Sequence, residues 1–274
     1  MSRSNRFMSA EKKIGNQIVW ATLLAILLLV SVSAYSSSQI QDLLDPLTDE
    51  TNEGSVAYTN AVARLKTPDT QTLQVIMREV QDIGVLERKQ SFDEAGNRTF
   101  VLRKAFEIMG TNLTPLLPQL RSEFLSGNSI GASGWALIAV GADGWCVLRQ
   151  GLTNVNLRVE LASLESMPYV KGTNAWLALP SLRTLLTNEL YVVRTQCIMA
   201  IGQTDLNPEA KIKLITHALE AETNFTVKCF AIKELEQFGN NTNVMPIIEQ
   251  MKNDDNASVR NTASNVLLHI EKVN

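Results

Sequence analysis

The chain has 274 residues, 45% of them apolar and 6% aromatic, and a net charge of −3. That bounds it to one large domain or two small ones of ordinary globular composition. Residues 1–35 carry Arg3, Arg6, Lys12 and Lys13 against Glu11, a net +3 that leaves −6 for the remainder. A net-negative domain lacks the electrostatic footprint of a nucleic-acid binder, so that class is set aside.

In chain order, residues 1–17 form a basic leader, and residues 18–35 are uncharged and mostly aliphatic. At about 1.5 Å per residue this run reaches about 27 Å, close to a hydrocarbon core of about 30 Å. Trp20 and Tyr35 stand near its two ends, and Asp42, Asp45, Asp49, Glu50 and Glu53 follow it. The expectation is a transmembrane signal-anchor helix, with the N-terminus cytoplasmic and the C-terminal domain extracytoplasmic. The alternative is a secreted protein cleaved after Ala34, since Val32-Ser33-Ala34 supplies small residues at the end of the run.

Residues 36–69 are polar, with Ser36-Ser37-Ser38, Pro46 and Pro68, and read as a stalk or one short helix. From residue 70 a helical period takes over, with Leu73, Ile76, Met77 and Val80 on one face. Residues 90–97, with Asp93, Glu94 and Gly96, read as a polar turn. Beyond it a segment recurs: FVLRKAFEIMG aligns with VVRTQCIMAIG when Gly110 is set against Gly202. The same frame places anchors at Val101, Ala132, Leu157, Val193, Val227 and Val259, spaced 31, 25, 36, 34 and 32 residues apart. Each interval holds another helix, over 114–125, 143–152, 175–186, 208–219 and 244–251. Recurrence at this distance marks stacked helix pairs. No interval shows strand alternation, so the fold class is all-α.

These segments resemble HEAT repeats, an armadillo-like family, and in particular the short bacterial type related to phycobilisome-lyase repeats. VVRTQCIMAIG, SVRNTASNVLL and the junction MGTNLTPLLPQL carry the resemblance, which covers roughly residues 70–274. It departs at Ser133 and Leu102, which stand where the family has arginine. It implies an α-solenoid of five to six helix pairs. It also implies that the basic residues Arg158, Arg194, Lys228 and Arg260 form a structural ladder, each bonded to an acidic or carbonyl group in the adjacent turn.

In such a stack one side of the second helices lines the concave surface. In repeat order the frame assigns to it Lys104 and Glu107, Trp135 and Ile138, Glu160 and Ser163, Gln196 and Met199, Phe230 and Lys233, and Thr262 and Asn265. A solvated groove has no need of apolar side chains, so Trp135, Ile138, Met199 and Phe230 are the candidate anchors for a protein partner.

Signals of chemistry are sparse. His217 and His269 lie in helical segments without metal-ligand spacing, and there is no CxxCH, phosphate loop or GxSxG turn. No catalytic, cofactor or metal residue is assigned. Cys197 and Cys229 lie on successive second helices, where a bridge requires favourable side-chain directions. N-x-S/T triplets occur at Asn97, Asn112, Asn224, Asn240 and Asn256, and such triplets arise easily in Asn-rich turns. The expected function is a membrane-anchored scaffold without catalysis. The alternatives are an assembly factor or subunit of a membrane complex, or, by the resemblance, a lyase-like accessory handling a chromophore.

Overall fold

The computed structural model describes residues 40–48 and 52–273. Among them are thirteen α-helices joined by short turns, and no strand. The chain divides into two compact units, Met1–Glu79 and Val80–Asn274.

The first unit contains a 3-10 turn, Asp45–Leu47, packed on helix α1 (Val56–Lys66). Ser55 caps α1 by accepting from the Tyr58 amide at 3.1 Å. In the segment 36–69, expected as a polar stalk or one short helix, the described residues include a helical run over 40–47 and the helix α1. Of this segment, Leu43, Leu47, Ala61 and Leu65 are buried. The uncharged run 18–35 and the leader 1–17 lie outside the described residues. The single-pass membrane placement is corrected: among the described residues no helix is long and apolar enough to cross a membrane.

Helix α2 (Thr70–Arg88) leads into the second unit. There follow α3 (Phe92–Met109), a 3-10 turn (Gly110–Leu116), α4 (Leu117–Ser126), α5 (Ile130–Val140), α6 (Ala142–Gly151) and α7 (Leu157–Ser166). A 3-10 turn (Met167–Tyr169) precedes α8 (Thr173–Leu185) and α9 (Tyr191–Gln203). The chain ends with α10 (Pro208–Ala221), α11 (Phe225–Glu236), α12 (Val244–Met251) and α13 (Ala257–Val273).

Helices α3, α5, α7, α9, α11 and α13 stack in succession as an inner row. Helices α4, α6, α8, α10 and α12 each pack on the inner helix that follows them, forming an outer row. Neighbour-only stacking of helix pairs is the architecture of an α-solenoid. Small side chains hold the rows close. Ala105, Ala132, Ala136, Ala231 and Ala263 are fully buried, and Gly144 of α6 lies directly against the Leu137 carbonyl of α5.

Capping explains where the inner helices begin. Asn156, Asn224 and Asn256 accept from amides two residues ahead, at 3.0, 2.9 and 2.8 Å. These bonds satisfy donors that a helix start leaves open. Two of these caps, Asn224 and Asn256, belong to the N-x-S/T triplets.

Two expectations about the inner row are corrected. The polar turn read over 90–97 is mostly helix, because α3 starts at Phe92 with Asp93 and Glu94 in its first turn. Carboxylates there favour a helix through its dipole. The break falls instead at Gln90, whose φ is 61°. The anchor of α7 is Val159 rather than Leu157. Val159 is fully buried, whereas Leu157 is the first residue after the Asn156 cap and is 38% exposed. With that change the anchor lies three residues beyond the cap position in α5, α7, α9, α11 and α13 alike. The corrected spacings are 27, 34, 34 and 32 residues, from Ala132 onward.

Candidate functional site

In α9, α11 and α13 the position after the anchor builds the junctions between repeats. Arg194 of α9 donates to both carboxylate oxygens of Glu222, at 2.7 and 2.9 Å, and to the carbonyls of Asn188 and Glu189 at 2.7 and 3.1 Å. Lys228 of α11 meets Asp254 at 2.6 Å. Arg260 of α13 donates to the carbonyls of Asp254 and Asp255, both at 2.8 Å. Arg158 stands outside this series. The α7 shift puts the half-buried Glu160 at the equivalent position and leaves Arg158 exposed, 4.0 Å from Glu87. In α5 the position is Ser133, whose hydroxyl bonds the Ser129 carbonyl.

Burial pushes the Glu222 carboxyl upward, but the bonds from Arg194 and from the Asn224 and Thr223 amides outweigh it and hold it below the ordinary value. The Lys228 ammonium, joined by the Asn256 amide, lowers Asp254. The Glu222 bond raises Arg194 against the opposing effect of burial. These bonds join the turn of one repeat to that of the next.

The inner row carries a groove of about 590 Å³ where α3, α5 and α7 face one another. Phe92, Ala95, Gly96, Thr99, Phe100 and Arg103 form one wall, Ile130, Gly131 and Trp135 the floor, and Arg158, Leu161, Ala162 and Glu165 the other wall. Glu87 closes one end. Its carboxylate accepts from the Ile130 and Gly131 amides at 3.0 Å each, capping α5 in place of Ser129. A methyl group on Gly131 would come within 2.7 Å of that carboxylate, so glycine is what admits it.

Trp135 is half-buried and held from two sides. The Arg103 guanidinium lies 3.8 Å from the centre of its ring, and Tyr169 meets it edge-on with centroids 5.0 Å apart. Arg103 is itself bound to Glu107 at 2.9 Å. Such stacking is worth about 0.5–1 kcal/mol at an exposed site and fixes both planes. Phe92 and Phe100 are each 61% exposed beside it. Partial desolvation raises Glu165 on the facing wall.

Of the four sequence-derived anchors, only Trp135 lies in this groove. Ile138, Met199 and Phe230 are half-buried on α5, α9 and α11 and do not join it. Phe230 lies beneath the Lys233 ammonium, 5.7 Å away. The α7 shift also exchanges Glu160 and Ser163 for Ala162 and Glu165 on the groove side, and Ser163 is fully buried. Among the described residues no group of His, Cys, Asp and Glu is arranged to hold a metal.

No family model and no curated protein matches the sequence. Fourteen chains of solved structure match. Cex1p is similar at 14% identity and a TM-score of 0.47 over 86% of this chain, which spans about half of that protein (53%). A designed armadillo repeat protein in complex with the peptide (KR)4 is similar at 17% identity and a TM-score of 0.43, covering 76% of this chain and 97% of that one. Human deoxyhypusine hydroxylase in complex with glycerol is similar at 16% identity and a TM-score of 0.39, covering 88% and 98%. At these values none of the three carries an argument about what this chain binds.

Proposed function

We propose that this protein is a non-catalytic helical-repeat scaffold that holds a protein partner along its inner row, with Trp135 as the central anchor. The observation supporting this reading is the groove itself. Two phenylalanines stay 61% exposed beside a tryptophan whose ring is already fixed by Arg103 and Tyr169. A rigid aromatic platform loses little freedom on binding, and clustered aromatics of this kind dominate interface energies. The partner segment presents apolar side chains to Phe92, Phe100 and Trp135, and polar groups to Arg103 and Glu165 at the walls. Outside this groove, Ile138 on α5, Met199 on α9 and Phe230 on α11 extend the contact along the inner row.

The test is co-purification of the full chain from its own cells, comparing wild type with a Phe100→Ser, Trp135→Ala variant of matched helicity and melting temperature. A stoichiometric companion whose recovery falls about a hundredfold in the variant, the loss of about 2–3 kcal/mol expected of an anchor, supports the groove. Undiminished recovery overturns it.

A further inference from the structure

We propose that the cleft between α8 and α10, on the outer row, is a binding site for an apolar carboxylate: a hydrocarbon or ring body bearing one anionic end. The outer helices α4, α6 and α8 pack on one another in succession, whereas contact between α8 and α10, as between α10 and α12, is slighter, although the inner helices α9 and α11 beneath them pack closely. At the first of these looser steps the outer row holds a cleft. The opening has a volume of about 860 Å³. That lies within the range of about 300–1,000 Å³ over which proteins enclose small ligands.

Its surfaces divide by chemistry. Trp176, Leu179, Leu186, Leu214 and Ala218 line it with apolar groups. The Arg194–Glu222 pair also lines it, and there two opposite charges cancel in a bidentate contact. Arg183 and Lys213 face the same space from α8 and α10, and neither forms an ion pair among the described residues. Glu189 is the one remaining acid in the lining, against these two unpaired cations. An apolar body would cover the leucines and the Trp176 ring, which is 44% exposed. One carboxylate would neutralise the excess positive charge, and charge-assisted bonds of that kind are stronger than neutral ones. A cationic or purely neutral amphiphile would satisfy only the apolar half.

The experiment is calorimetric titration of the full-length protein with dodecanoate and with dodecyltrimethylammonium, both below their micellar concentrations. Wild type is expected to bind dodecanoate in the micromolar range and the ammonium amphiphile more weakly by about tenfold or more. Ala221→Trp, at an exposed position in the lining, fills the cleft and should abolish dodecanoate binding. Arg183→Glu with Lys213→Glu, both at exposed positions, should reverse the preference. Melting temperatures near wild type confirm that each variant is folded. Equal affinity for the two amphiphiles overturns the proposal. So does unchanged binding in folded Ala221→Trp, or no binding of dodecanoate.

Discussion

Arg194 on α9 and Glu222, in the turn ahead of α11, meet through two parallel bonds of 2.7 and 2.9 Å. Glu222 also accepts from the Thr223 and Asn224 amides at 2.9 and 2.8 Å, and Arg194 also ties down the carbonyls of its own preceding turn. One ion pair thus fastens the turn of one repeat to the turn of the next. Lys228 and Asp254 repeat the arrangement one step later, and Asp254 accepts from the Asn256 amide at 2.8 Å.

Breaking that pair should cost more than breaking a surface salt bridge. The Arg194 and Glu222 side chains are only 16% and 6% exposed, so removal of one leaves the other desolvated. Exposed pairs are worth about 0–1 kcal/mol and fully buried ones lose about 3–5 kcal/mol when halved. Glu222→Ala should therefore lower stability by about 2–3 kcal/mol in urea titration, by interpolation between those limits. A loss confined to the surface range would show that the junction is not a structural fastening.

The same junctions set an acid limit. Glu222 and Asp254 are both held below their ordinary values of 4.5 and 3.8. A carboxyl whose folded value is depressed contributes stability that is complete above its unfolded value and lost as pH falls through its folded one. Burial raises Glu160, Glu165 and Glu234, which act with the opposite sign, so the junctions must be isolated by difference. The stability of wild type minus that of a Glu222→Gln, Asp254→Asn variant should be smallest near about pH 2.5 and reach its full size by about pH 5.5. A difference independent of pH across that interval would contradict the assigned charges.

Two glycine substitutions should have opposite signs. A Cβ at Gly144 would lie 1.9 Å from the Leu137 carbonyl oxygen, a backbone atom that cannot swing aside. The gain in helix propensity is about 1 kcal/mol, and overpacking typically costs about 1–3 kcal/mol or more, so Gly144→Ala should destabilise. Gly96, in the exposed part of α3, meets nothing within 4 Å and has no positive φ. Gly96→Ala should stabilise by up to about 1 kcal/mol. Urea titration of the two variants checks both signs, and a stabilised Gly144→Ala would mean that α5 and α6 stand further apart.

The alternation of inner and outer helices was legible because each inner helix repeats a small residue four positions beyond its anchor, as Ala105, Ala136, Cys197, Ala231 and Ala263 do. The α7 register was misread because Leu157 is apolar and sits near the expected spacing. The cap Asn156 three residues before Val159, matching Asn224 before Val227 and Asn256 before Val259, is the signal that would have placed it. Trp135 followed from the frame. Phe92 did not, since Gly96 and its acidic neighbours disguised the first turn of α3 as a loop, and Phe100, read as helical, stands just before the anchor Val101 and outside the positions the frame assigned to the groove. Glu87 was beyond reach: its role depends on a carboxylate from α2 meeting the amides of α5, 43 residues on, and no local pattern encodes that.

Cysteine chemistry provides the last prediction. The three cysteines are all free, so the Cys197–Cys229 bridge weighed from the sequence is not formed. Cys197 is fully buried and donates to the Leu182 carbonyl at 3.2 Å. Burial, with a smaller contribution from the Glu160 charge, pushes its thiol well above the ordinary cysteine value. The thiolate is the reactive species, so Cys197 is shielded both sterically and electrostatically. Cys146 and Cys229 are half-buried. Under native conditions at neutral pH, iodoacetamide should label Cys146 and Cys229 and leave Cys197 unmodified, as read by mass of the peptides. Cys197 should become reactive only in denaturant, at the rate of global unfolding. Labelling of Cys197 in native buffer at the rate of the other two would mean that α8 and α9 part locally and that the inner and outer rows are not tightly closed there.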